Sequence, residues 1–486
     1  MVRGVLGMFL LSLVVVAGGA VQAEAQTSQP QGAQAQANAA GLDLPRLESE
    51  AILWLQGLLR INTTNPPGND LAAVNYLAGV LQKEGIGAEI YKSGPNRGFL
   101  VARLQATALP NPSQALLLVS HLDTPGVDAS KWKSDPFGGM VQDNYLYGRG
   151  AINGKAMAAA EMAVLIALKR SNAHLDRDVI FLADSDGGAT PNEGMKFVLE
   201  NYWNKVAAGF AINDGGRVVV KNGKVQYVGV QVDEKVSRNL DVIASGTPGP
   251  SSLPSGDDAI THLAAAMEKI AAYRTPVHFT FLTRDYFEGL ANIEDQDTAK
   301  WIRALDDPNR AAHAVQFVSS ANPDWGAMMR DTIAPTMLQA GTDANAIPGE
   351  ARGVVNLRLL PGTLAEELEN KLQQAVNDSQ VRLEIEPGGA PPAPASSLDS
   401  GLYTTIASAA KQQFPGAAVL PYMSIQSTDS PYLRERSVQT YGLLPFPLSH
   451  EEMLRTQGAD ERIQLDTFRK GMEFLYQIVT NFAIEK

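Results

Sequence analysis

Apolar and polar positions settle into a folding rhythm from residue 42 onward. Ile52, Leu55, Leu58 and Leu59 recur at helical spacing across 50–60, and Asn65-Pro66-Pro67-Gly68 breaks the pattern. A second helix is expected over 71–84, closed by Gly85, with strands at 88–90 and 99–104. The run 115–120 is continuously apolar, as in a strand buried on both faces. An Ala-rich helix over 157–170 and buried strands at 179–183 and 210–212 follow. Strands alternating with helices predict an α/β fold, a sheet covered on both faces. Ligands of such sheets sit at the carboxyl ends of the strands, where His121, the 184–188 segment and Asp214 all fall.

Beyond about residue 235 the texture changes. Strand-like 240–244, helical 258–272, a segment rich in charge and Trp over 275–331, strand-like 353–359, helical 364–376 and strand-like 381–385 read as a smaller α+β unit. The expected organisation is therefore a doubly covered sheet domain over 42–235 and 389–486, interrupted by an inserted dimerisation or lid domain over 236–388. The Pro-rich run 387–394 makes the return crossing, and an amphipathic helix near 467–482 completes the first domain.

The first 41 residues follow another logic. Arg3, an apolar stretch over 5–16 and Ala23-Glu24-Ala25 have the layout of a cleaved signal peptide, residues 1–25. The Gln- and Ala-rich 26–41 reads as a flexible leader. The expectation is a secreted or periplasmic protein with no membrane contact after cleavage. A net charge of −12 argues against nucleic-acid binding. The absence of cysteine removes thiolate catalysis, thiolate metal sites and disulfides. Any metal must be held by carboxylates and the six histidines.

Several strings then carry a resemblance. They are His121-Leu122-Asp123, Asp135-Pro136-Phe137, Gly148-Arg149-Gly150-Ala151, Gly246-Thr247-Pro248-Gly249, the 356–362 string Asn-Leu-Arg-Leu-Leu-Pro-Gly, and Thr428-Asp429-Ser430. In this order and spacing they resemble the dinuclear-zinc family of aminoacylases, Gly-X carboxypeptidases and succinyl-diaminopimelate desuccinylases. The resemblance implies hydrolysis of an amide or peptide bond by two zinc ions, with a Glu moving the proton of the bridging water. It makes His121 a zinc ligand, Asp123 the carboxylate that orients it, and Asp214 a second ligand.

Elsewhere the sequence departs from the pattern. Asn153 stands where the bridging Asp is expected, Gly187 where the general base is expected, and Gly188 and Gln457 where two further ligands are expected. Pro250 replaces the His that would reach the substrate carbonyl. Loss of a general base alone costs about 10² to 10⁴ in rate. On the substrate side the resemblance points to Asn345, Arg358, Thr428, Asp429 and Ser430.

Each of these residues also has a plainer reading. His121 can be a strand-end histidine bonded to Asp123, Asp184 and Asp186 can be caps, and His450 can simply start a helix. Arg358 can clamp a carboxylate or pin the sheet, and Thr428 to Ser430 can be a turn. The expected function is a catalytically impaired relative that keeps its cleft for a peptide or N-acyl amino acid. No cofactor is expected to be held tightly, and at most one weak zinc or other divalent ion at His121, Asp214 and Asn153. The alternatives are a hydrolase working with one residual or altered metal, and a structural homodimer, built through the inserted domain, whose cleft is vestigial.

Overall fold

The computed structural model describes residues 42–107, 111–185 and 194–485. Leu47, Ala51, Leu55 and Leu58 form the buried stripe of helix α1 (Leu44–Leu59), which Asp43 caps by accepting from the Arg46 N–H. Helix α2 (Asp70–Lys83) buries Ala73, Val74, Leu77 and Leu81 in the same way. Strands β1 (Ala88–Lys92), β2 (Gly98–Leu104) and β3 (Leu116–His121) follow, then the short β4 (Met140–Gln142) and β5 (Tyr145–Tyr147). Helix α3 (Lys155–Arg170) is buried along nearly its whole circumference, which its small alanines permit. Next come β6 (Val179–Asp184), α4 (Met195–Val206), β7 (Phe210–Asn213), β8 (Arg217–Lys221) and β9 (Lys224–Glu234).

From Val236 the chain builds a second sheet. Strand β10 (Val236–Ser245), the two-residue β11 (Gly249–Pro250) and helix α5 (Ala259–Ala272) precede four short helices: α6 (Phe281–Ala291), α7 (Gln296–Arg303), α8 (Ala311–Ala321) and α9 (Pro323–Met328). Then come β12 (Thr332–Ala340), β13 (Ala346–Ile347), β14 (Glu350–Leu359), α10 (Ala365–Val376) and β15 (Val381–Ile385). The chain ends with α11 (Gly401–Gln413), β16 (Ala418–Ser424), α12 (Ser430–Glu435), β17 (Gln439–Gly442), β18 (Pro447–Ser449), α13 (His450–Met453), β19 (Arg462–Gln464) and α14 (Leu465–Ala483).

The large sheet has ten strands in the order β1-β2-β6-β3-β7-β17-β9-β8-β18, with β16 pairing β9. Its centre is parallel: β3 pairs β6 and β7, and β7 pairs β17. Both faces are covered, α1, α3 and α14 lying over one core and α4 over another. A mixed α/β fold with a large covered sheet is the architecture expected from the strand and helix alternation. The small sheet, order β12-β14-β10-β15, buries its own core under α5 and α10. Because the central strands are parallel, His121, Asp184 and Asn213, each the last residue of its strand, come out along one edge. Among the described residues no helix is long and apolar enough to cross a membrane.

Candidate functional site

A cavity of about 920 Å³ opens at that edge, lined by His121, Asp123, Asn153, Asp214, Arg358, Thr428, His450 and Gln457 among others. His121 is nearly buried. Its Nδ1 lies 3.0 Å from Asp123 Oδ1, and its Nε2 lies 3.7 Å from Asp214 Oδ2. Burial disfavours a charged ring, but the Asp123 hydrogen bond and charge, with Asp214 and Asp429 behind it, outweigh burial and push the imidazole up to about 10. Asn65 Nδ2 donates to the far oxygen of Asp123 at 3.3 Å.

Burial raises the Asp214 carboxyl, opposed by the His121 charge and by a hydrogen bond from the Asn153 side chain. Asn153 leads into α3, and its Oδ1 is buried without a hydrogen-bond partner. The next residue must be glycine. A Cβ on Gly154 would sit 2.3 Å from the His121 carbonyl oxygen and 2.8 Å from its Nε2. Gln457 adopts a left-handed backbone, φ 59°, and is exposed at the cavity wall. Its loop is fixed from below. Buried Glu461 pairs with Arg149 at 2.9 Å and accepts from the Ile152 N–H at 3.0 Å, while Arg149 also donates to the Gly458 carbonyl. The loops of Asn153 and Gln457 are therefore tied to one another.

Beneath the cavity lies a buried polar net, in which Thr428, Asp429 and Ser430 are expected at the site from the sequence and Gln231 and Glu234 are not. The Thr428 hydroxyl donates to Glu234 at 2.5 Å, its N–H donates to the other oxygen at 2.9 Å, and Gln231 donates to Glu234 at 2.6 Å. Burial pushes the Glu234 carboxyl up to about 7 against the pull of Arg434 and Thr428. Ser430, also buried, accepts from Asn213 at 3.2 Å, and Asp429 is buried at the start of α12. The sequence trace of Glu234 is the charged triplet Asp233-Glu234-Lys235, out of place at the end of an apolar strand.

Arg358 enters the cavity from the small sheet, where Nη1 donates to Ser427 Oγ at 2.6 Å and Nε to Asn356 Oδ1 at 3.0 Å. Burial pulls its pKa down. His450 lines the cavity from the exposed first turn of α13. Among the described residues, four expected ones are not in the cavity's lining: Asp429 and Ser430, both buried, and Pro250 and Asn345. Pro250 and Asn345 are exposed on the small-sheet side, where the Asn345 carbonyl accepts from Ser251 N–H. Asp184 is fully buried at the end of β6, in register with His121. Gly187, Gly188 and Asp186 lie outside the described residues.

The donor set can be set against a pair of metal ions. His121, Asp214 and the Asn153 oxygen could serve one ion, since a buried carbonyl without a partner is a ready ligand. For a second ion, the cavity wall offers the amide of Gln457 in place of an imidazole. Among the described residues no group of three or more His, Cys, Asp and Glu is disposed to hold a metal. Among the described residues, this donor set falls short of a dinuclear centre.

Comparison with known proteins agrees with this architecture. Residues 117–481 match peptidase family M20/M25/M40, and the chain belongs to that family. Human N-fatty-acyl-amino acid synthase/hydrolase PM20D1 is 25% identical over 378 residues, covering 76% of this chain and 74% of its own. Pig aminoacylase-1 is 24% identical over 444 residues, covering 90% and 96%. The M20 family metallo-carboxypeptidase Sso-CP2 from Sulfolobus solfataricus shares the fold, with a TM-score of 0.68 at 17% identity over 89% of this chain and 99% of its own.

Proposed function

We propose that this chain is an exported M20-family protein that has kept the family's cleft and lost its hydrolytic metal centre, and that the cleft receives a peptide or an N-acyl amino acid. The observation that carries the reading is the arrangement at His121. Its Nε2, the nitrogen that would face a metal, lies 3.7 Å from Asp214 Oδ2, and where a bridging carboxylate would stand beside them is the neutral Asn153. That gap is too long for a hydrogen bond, so the pair could share one ion, but a neutral amide beside them brings no charge to offset a second dication. Arg358 supports ligand binding. It is half-buried at the cavity, with a hydroxyl and an amide as its hydrogen-bond partners, and a guanidinium so placed suits a carboxylate. Aminoacylase-1 and the PM20D1 hydrolase among the relatives make an N-acyl amino acid the natural first ligand class. Export rests on the apolar stretch and small-residue site of the first 25 residues.

The experiment is a hydrolysis assay on N-acetyl-methionine, N-lauroyl-glycine and Gly-Gly with and without added zinc. No turnover above background is expected. A zinc-dependent rate within the ordinary enzyme range of about 1 to 10³ per second overturns the reading. One observation favours a second reading, a hydrolase with a single ion: the unpartnered Asn153 Oδ1 beside Asp214. It predicts activity that saturates at one metal per chain and is lost in Asn153→Ala.

A further inference from the structure

The four helices α6 to α9 belong by connectivity to the small sheet. The chain leaves that sheet at Thr275, whose hydroxyl donates to the Asp331 carbonyl at 2.6 Å, and the His278 N–H meets the Met329 carbonyl at 2.8 Å. The excursion therefore closes on itself. Its apolar residues are nevertheless not spent on the small sheet. Tyr286, Phe287 and Leu290 of α6 share one buried cluster with Tyr227 of β9 and Leu420 and Tyr422 of β16, all in the large sheet. The Tyr227 and Tyr286 hydroxyls are 3.0 Å apart.

Polar ties follow the same path. Arg217, at the start of β8, pairs with Asp324 of α9 at 3.1 Å and packs its guanidinium over the Tyr422 ring at 4.3 Å. Lys221 pairs with Glu294 at 2.6 Å. Lys235, at the crossing between the sheets, donates to the carbonyls of Ala327 and Arg330 around the end of α9. On the other side, Asp331 accepts from the Leu360 N–H at the end of β14. Without these helices, the two sheets would be joined chiefly by the two crossings at residues 234–236 and 386–390, the kind of joint about which domains turn.

We propose that α6 to α9 form a brace that holds the small sheet at one angle to the large one, with Arg217 and Asp324 as its positioning pair. Both residues line the cavity, so the brace also sets the width of the cleft. The cleft is then a preformed receptor, and a ligand enters it without domain closure. The inference concerns aperture and stands whether or not the metal centre works.

The chain has no cysteine, so Lys133→Cys on the large-sheet side and Leu364→Cys on the small-sheet side can carry a pair of spin labels. Both side chains project into solvent. Pulsed electron spin resonance on the full chain should give one narrow distance distribution. Asp324→Lys, which sets a cation against Arg217, should add a second, longer population, and Asp324→Glu should restore the single one. Replacing 279–328 by a short Gly-Ser linker, which the closed ends of the excursion allow, should give the longer population alone. Thermal midpoints recorded in parallel separate loss of aperture from loss of fold. A broad distribution in the parent overturns the brace, as does a narrow, unshifted one in both variants. Should the excised chain fail to fold, Asp324→Lys decides alone.

Discussion

Gly154 owes its identity to the imidazole beside it. A methyl group there would come within 2.3 Å of the His121 carbonyl oxygen, so Gly154→Ala must move either the loop or the histidine. The expected cost is about 2–3 kcal/mol, within the range of severe single substitutions, read as a lower urea midpoint. His262 offers a separate test of electrostatics on the small sheet. Its Nδ1 is 2.7 Å from Asp378 and its Nε2 is 3.2 Å from Asp257. The Asp378 hydrogen bond is the chief cause that raises its pKa, with partial burial opposing. A raised folded-state pKa adds stability that is complete below the unfolded value of about 6.5 and lost as pH climbs through the folded one. His262→Gln should therefore cost up to about 1 kcal/mol at pH 5.5 and little at pH 9, measured by denaturant titration. A difference that grows with pH contradicts the pairing. At this scale sequence went far with local pairs. His121 and Asp123 are two residues apart, and their contact follows from strand-end geometry. Arg217 and Asp324 are separated by 107 positions, and nothing in their spacing marks them.

The central strands declare themselves because strands buried on both faces must be apolar throughout. The runs at 115–120 and 179–183 become β3 and β6 almost unchanged. Phe181 is fully buried at the middle of β6, so Phe181→Ala should lose about 3–5 kcal/mol, seen as a large drop in the urea midpoint. Strand β12 is the opposite case. It holds Pro335, bends at a register shift beside it, and is mostly exposed, so it carries no apolar alternation to read. The helices of the 275–331 segment were equally opaque in type. Their apolar residues answer to a partner surface on β9 and β16, which the local sequence does not contain.

Strand β12 is an edge of the small sheet with Met337 and Leu338 more than half exposed. An uncovered edge of this kind is a pairing surface, and we propose on that ground that the homodimer expected from the sequence forms through the small sheet. Light scattering should give twice the chain mass for the parent and the single-chain mass for Leu338→Arg. A monomeric parent contradicts the proposal. Two substitutions then probe whether the cleft has merely lost side chains. Asn153→Asp restores a carboxylate beside Asp214, and Gln457→His places an imidazole on a left-handed backbone that His tolerates better than most residues. The double variant should hold zinc at least tenfold more tightly than the parent, by competition with a chelator.

The central claim is that the M20 cleft survives here without its paired metals, and zinc stoichiometry tests it most directly. Purified chain equilibrated with zinc and dialysed should retain at most one ion, removed by mild chelation with little change in thermal midpoint, because a weak ligand adds little by mass action. Two ions per chain that survive dialysis, with a midpoint that falls on their removal, would contradict it.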